Sequence, residues 1–121
     1  MNPTHPGENE EWMSGRIESW VETYKKAMLT PVILRLVAIH QPVTIATLLA
    51  DLTARTGWQI TERGLYRTVK RLQDSGFLTS DDVAAPRTGA KRKELALSDL
   101  GARFLEGIDA NLVQLPENSS H

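Results

Sequence analysis

Two successive stretches of this chain, residues 44–57 and 61–76, share one layout: a threonine opens each, aliphatic residues follow at helical spacing, and a glycine lies at the end. In the first, Thr44 can cap a helix whose Ile45, Leu48, Leu49 and Leu52 fall at i, i+3, i+4 and i+7, the stripe of a helix that packs on one side only. Gly57 suits the left-handed residue that ends many helices. In the second, Thr61 can cap a helix that puts Leu65, Val69 and Leu72 on one face and ends at Gly76. Two short amphipathic helices joined by Trp58 to Ile60 are expected to pack together as a helix-turn-helix.

The face of the second helix opposite those aliphatics carries Arg63, Arg67, Lys70 and Asp74, with Tyr66 and Arg71 on its flanks. A charged stripe of this kind is more often simply solvated, so its neighbours decide its meaning. Phe77 to Asp82 and Arg92 to Ser98 can each form a strand, which leaves Val83 to Lys91 as the loop of a hairpin. Arg87 and Lys91 lie in that loop, and Arg92 and Lys93 follow at once. The net charge of −1 therefore hides a segregation: residues 55–93 hold nine basic and four acidic side chains, a local +5, against five basic and eleven acidic elsewhere, −6. A basic helix face followed by a basic hairpin is the charge footprint expected of a DNA-binding surface.

Composition removes most other function classes. At 121 residues, with 40% hydrophobic and 24% charged side chains, the chain is one soluble domain's worth. The absence of Cys excludes disulfides, iron-sulfur clusters and thiolate zinc sites. His5, His40 and His121 are scattered, and neither a phosphate-binding glycine loop nor a zinc-protease histidine pair occurs. No enzyme, metal or cofactor is expected. The start of the chain is polar and acidic, and the longest apolar run, Val32 to Ile39, is broken by Arg35. Neither a signal peptide nor a membrane span is therefore expected, and the expected location is the cytoplasm.

Helices flank the central part. From Glu8 to about Met28 the residues Met13, Ile17, Trp20, Tyr24 and Ala27 form a narrow apolar seam, and Glu22 and Lys26 stand at a favourable i,i+4 spacing. Thr30-Pro31 reads as a break, after which a second helix runs to about His40, a surface or capping histidine. Ser98 or Asp99 can cap a last helix with Leu100, Phe104, Ile108 and Leu112 every four residues, ended by Pro116. The expected organisation is a flexible start over 1–7, an N-terminal helix over 8–29, a central domain over 30–98, a C-terminal helix over 99–115 and a disordered tail over 116–121. The overall class is mainly α with a small β-hairpin. Either terminal stripe could cover its own domain, but two such helices are more than one small core can hide, so Met13, Ile17, Trp20 and Tyr24 and also Leu100, Phe104, Ile108 and Leu112 are expected at a dimer interface.

The order helix, helix, recognition helix, basic hairpin, final helix is that of a winged helix-turn-helix, and the residues resemble the PadR family of bacterial transcriptional regulators over roughly Leu29 to Ile108. The most specific stretch is Gly64-Leu65-Tyr66-Arg67-Thr68-Val69-Lys70-Arg71-Leu72-Gln73-Asp74-Ser75-Gly76-Phe77-Leu78. It is similar to the family's Leu-Tyr, apolar, Lys-Arg-Leu, Gly-apolar run. Leu97-Ser98-Asp99-Leu100-Gly101 resembles the family's junction after the wing, and Pro31 to Ala38 its first apolar helix. Thr44-Ile45 replaces the Gly-Tyr usual there, which marks a divergent member. The order is shared with MarR-type regulators.

The resemblance implies a homodimeric repressor that binds double-stranded DNA at an inverted repeat, bound to the nucleoid when on DNA. The helix over 61–75 would enter the major groove and the wing over 83–93 would lie on phosphates. Arg63 and Arg67, on the first turns, suit guanine edges; Tyr66, Lys70 and Arg71 suit phosphates, as do Arg87, Lys91, Arg92 and Lys93 in the wing, and Thr61 completes the DNA-contact set. Some members bind flat aromatic effectors between aromatic side chains near the dimer interface. Trp12 and Trp20 are the residues that a small aromatic effector would need here, but tryptophan at helical spacing usually packs, and no effector is assigned. The alternative from another class is a winged-helix adaptor that binds an acidic protein through the same face.

Overall fold

The computed structural model describes residues 6–84, 87–89 and 91–117. His5, residues 118–121, most of the expected flexible start and part of the wing loop (85, 86 and 90) lie outside the described residues. The elements run α1 (Pro6–His40), β1 (Val43–Thr44), α2 (Ile45–Thr56), α3 (Glu62–Asp74), β2 (Leu78–Ala84), β3 (Lys91–Leu97) and α4 (Asp99–Asn111). The chain divides into two compact units, residues 1–30 and 31–121.

The expected break at Thr30-Pro31 does not occur, because α1 continues through Pro31. Proline removes one amide donor, but its φ is helical. The carbonyl left without that donor belongs to Ala27, an exposed residue, which water can satisfy. The unit boundary nevertheless falls just there. In the first unit Glu22 pairs with Lys25, at 4.0 Å, rather than with Lys26 as the spacing had suggested.

The second unit is a winged helix-turn-helix. Its core takes Ile33, Leu34 and Val37 from α1, Leu48 and Leu52 from α2, Leu65, Val69 and Leu72 from α3, Leu78 from β2, Leu95 from β3 and Leu105 from α4. Both threonine caps form: Thr44 Oγ1 accepts from the Thr47 amide and Thr61 Oγ1 from the Gly64 amide. Gly57 closes α2 at φ 73°. Gly76 has φ 85°, and the Phe77 and Gly76 amides reach back to the carbonyls of Leu72 and Gln73, a Schellman-type end that turns the chain into the wing.

The sheet is antiparallel, in the order β1-β3-β2. β1 was not foreseen, since two residues carry no periodicity and Thr44 reads as a helix cap. Val43 stands opposite Leu95 and Thr44 opposite Glu94. Both wing strands reach further toward the tip than expected, to Ala84 and back to Lys91.

Polar links fix the helices around this sheet. Gln41 Oε1 accepts from the Leu97 amide at 2.8 Å, and Gln73 Nε2 donates to Ser80 Oγ at 2.6 Å. Arg35 pairs with Asp109. His40 is a linking residue: its Nε2 lies 2.7 Å from Asp51 Oδ2, while Arg55 Nε lies 3.0 Å from Asp51 Oδ1. The Arg55 hydrogen bond and then that of His40 hold the Asp51 carboxyl below its ordinary value.

The junction after the wing is tightest. Ser98 Oγ accepts from the Gly101 amide, which makes Ser98 the cap of α4, and donates to the Gly76 carbonyl at 2.6 Å. A Cβ on Gly101 would collide with the Phe77 carbonyl oxygen and sit 2.9 Å from Leu97 Cδ1. Backbone cannot swing aside as a side-chain end can, so Gly101→Ala is expected to cost about 1–3 kcal/mol of stability. Chemical denaturation should show a lower midpoint at unchanged slope, and an unchanged midpoint would refute the clash.

α4 departs from expectation in two ways. Its buried positions are Gly101 and Leu105, one residue on from the stripe read in the sequence, so Leu100 and Phe104 stay 49% and 38% exposed. The helix also ends at Asn111 rather than at Pro116, with Leu112 extended at φ −70°, ψ 133°. Pro116 disfavours helix for Leu115, and Val113 and Leu115 remain exposed within the single chain.

Candidate nucleic-acid interface

α3 is held by its cap and by its buried face, where Leu65, Val69 and Leu72 are joined by Thr68. The opposite side leaves Arg63, Tyr66, Arg67, Lys70 and Arg71 exposed. Among the described residues none of these four cations has an ion-pair partner, whereas Arg35 and Arg55 each have an aspartate. Arg67 stands four residues from both Arg63 and Arg71 and three from Lys70. Like charges at those spacings repel by a few tenths of a kcal/mol per pair, a cost that an arriving anion would remove.

The wing brings basic residues beside this helix. Tyr66 of α3 and Arg92 and Lys93 of β3 line one open groove of about 410 Å³ with Thr44, Ile45, Ala46 and Glu62. Arg87 and Lys91 are exposed at the tip end of the hairpin, and Thr61 is exposed at the mouth of α3. The structure thus groups Tyr66, Arg92 and Lys93 at the groove, and Arg63, Arg67, Lys70 and Arg71 along the exposed side of α3.

Three features of the site escaped the sequence reading. Asp82 lies directly across from Lys93 in the ladder, and Glu94 lies 3.5 Å from Arg92, so those two wing cations are partly balanced. The hairpin register would have revealed the first. Glu62, counted only as an acid, lines the groove, and so does the start of α2. Among the described residues no cluster of potential metal ligands occurs.

The residues expected at a dimer interface are, except for Ile108, exposed in the single chain. On the N-terminal part of α1 these are Met13, Ile17, Trp20 and Tyr24, with Trp12 nearby; Trp20 and Tyr24 stack at 5.2 Å between centroids. On α4 Leu100 and Phe104 are exposed, Ile108 is half-buried, and Leu112 lies just past the helix. Phe104 also stacks on Phe77 of its own chain, at 4.2 Å.

No family model matches the sequence, and no curated protein matches it. Solved structures do. A PadR family transcriptional regulator from Eggerthella lenta is 24% identical, with a TM-score of 0.70 over 83% of this chain and 85% of that one. The fold is that of the PadR regulators. A PadR-like transcriptional regulator from Bacillus cereus is 23% identical, with a TM-score of 0.65 over 73% of this chain and 84% of that one. Bacillus subtilis PadR, solved in complex with operator DNA, is 22% identical, with a TM-score of 0.63. That match covers 78% of this chain and 54% of that one, so the chain spans about half its length. In the PadR fold found here, α3 is the second helix of the helix-turn-helix and β2–β3 is the wing.

Proposed function

We propose that the chain is a divergent PadR-like transcriptional regulator that binds double-stranded DNA sequence-specifically, as a homodimeric repressor on an inverted repeat. The observation that carries this reading is the exposed side of α3, where Arg63, Arg67, Lys70 and Arg71 stand, among the described residues, without ion-pair partners beside a basic wing. The likeness in fold to a regulator solved with operator DNA supports it. Arg63 and Arg67, on the first turns, read guanine edges; Thr61, Tyr66, Lys70 and Arg71 hold phosphates. The exposed apolar stripes of α1 and α4 supply the dimer contacts. No helix among the described residues is long and apolar enough to cross a membrane, and the site of action is the cytoplasm. Neither catalysis nor a cofactor forms part of this reading, and no effector is assigned.

Within this reading the wing adds affinity without sequence preference. Arg87 and Lys91 carry the larger share, because Asp82 and Glu94 partly balance Lys93 and Arg92. Replacing all four by alanine is expected to flatten the plot of log affinity against log salt by roughly 0.9 for each phosphate no longer neutralised, doubled in a dimer. Fluorescence anisotropy with a labelled duplex across a salt series measures that slope. An unchanged slope places the wing off the DNA, and salt-insensitive or absent binding by the unaltered protein refutes the DNA reading and favours an adaptor.

A further inference from the structure

A carboxylate on a surface that approaches phosphates is repelled by them, so its presence there calls for a compensating contact. Glu62 is the first residue of α3, next to Arg63, and it shares the groove with Tyr66, Arg92 and Lys93. Its side chain is exposed and forms no hydrogen bond or ion pair among the described residues; Arg92 instead faces Glu94. A carboxylate near a helix N-terminus is mildly favourable for the helix, but that benefit does not require a side chain lining the DNA-facing groove.

Resting on the DNA-binding reading, we propose that Glu62 is a specificity-determining residue that accepts a hydrogen bond from the amino group of a cytosine in the major groove. An ionised carboxylate only accepts. The major-groove edges of guanine and thymine offer acceptors, which repel it, and adenine sets its N7 acceptor beside its amino group. Cytosine presents its N4 amino group without a neighbouring acceptor of its own. Glu62 thereby complements Arg63 and Arg67: the arginines select guanine and the carboxylate rejects it.

The test is selection of bound duplexes from random-sequence DNA by the full chain, unaltered and as E62A and E62Q, with thermal midpoints of all three. The unaltered protein is expected to enrich cytosine at one position of each half-site by about tenfold, the lower range of a specific base contact. E62A keeps the rest of the motif, becomes indifferent at that position and binds non-specific DNA more tightly. E62Q shifts the preference to adenine, whose N6 and N7 a carboxamide can bridge. The same base at every position from all three proteins overturns the proposal, and so does an E62A protein with a lowered midpoint and a motif abolished throughout. If the unaltered protein enriches no motif at any salt concentration, the DNA reading itself fails and this inference with it.

Discussion

Replacing Ile108 and Leu112 by aspartate is expected to convert the protein to monomers and to lower its affinity for a full two-fold site by about 10²- to 10⁴-fold, the advantage that tethering two half-site contacts confers. Reading two half-sites needs two copies of α3 about 34 Å apart, and a dimer built from fixed helices provides that spacing. Carboxylates placed in an apolar seam would be buried without partners, at a cost that separation of the protomers avoids. Leu112 lies just past the helix and is exposed, whereas Phe104 stacks on Phe77 and Ile108 is half-buried within its own chain, so the thermal midpoint of the variant is measured alongside to separate lost pairing from a disturbed fold. The monomers should retain weak, salt-sensitive binding to any duplex. The same exchange at Ile17 and Trp20 asks whether α1 shares the interface. Sedimentation that shows an intact dimer after both pairs are changed would remove these stripes from the interface.

Arg67→Ala is expected to weaken binding to the selected site by about 1–3 kcal/mol, roughly 5- to 150-fold, with a much smaller loss on random DNA. Arg67 lies one turn into α3, exposed and unpaired among the described residues, and its planar fork matches the two acceptors of guanine. Arg67→Lys keeps the charge but not the fork, so it should restore non-specific affinity while leaving discrimination impaired. Equal losses on both DNAs would make Arg67 a phosphate contact.

The parts of this fold that could be read from the sequence are those fixed by local chemistry. Thr44, Thr61 and Ser98 cap their helices because a short hydroxyl side chain reaches an amide three residues on, and Gly57 and Gly76 end theirs because they accept positive φ. The exposed, charged side of α3 was equally legible, since the spacing of Leu65, Val69 and Leu72 fixes which side of the helix remains outward. Features set by distant partners were not. β1 exists because Val43 meets Leu95, and α4 turns Leu105 inward because Gly101 must lie against the Phe77 backbone. The passage of α1 through Pro31 is compatible with the exposure of Ala27, whose carbonyl loses the proline's donor, and no local pattern reports that exposure. The placement of Asp82 across from Lys93 needed the hairpin register.

Sequence-specific reading of duplex DNA by α3 can be measured by binding of the unaltered protein, at fixed moderate salt, to an array of duplexes of varied sequence. The expected result is a small set of related, two-fold-symmetric sequences bound at least about a thousandfold more tightly than the bulk, with that preference absent from a protein carrying both Arg63→Ala and Arg67→Ala. Uniform binding across the array, or a preference that survives the double replacement, would contradict it.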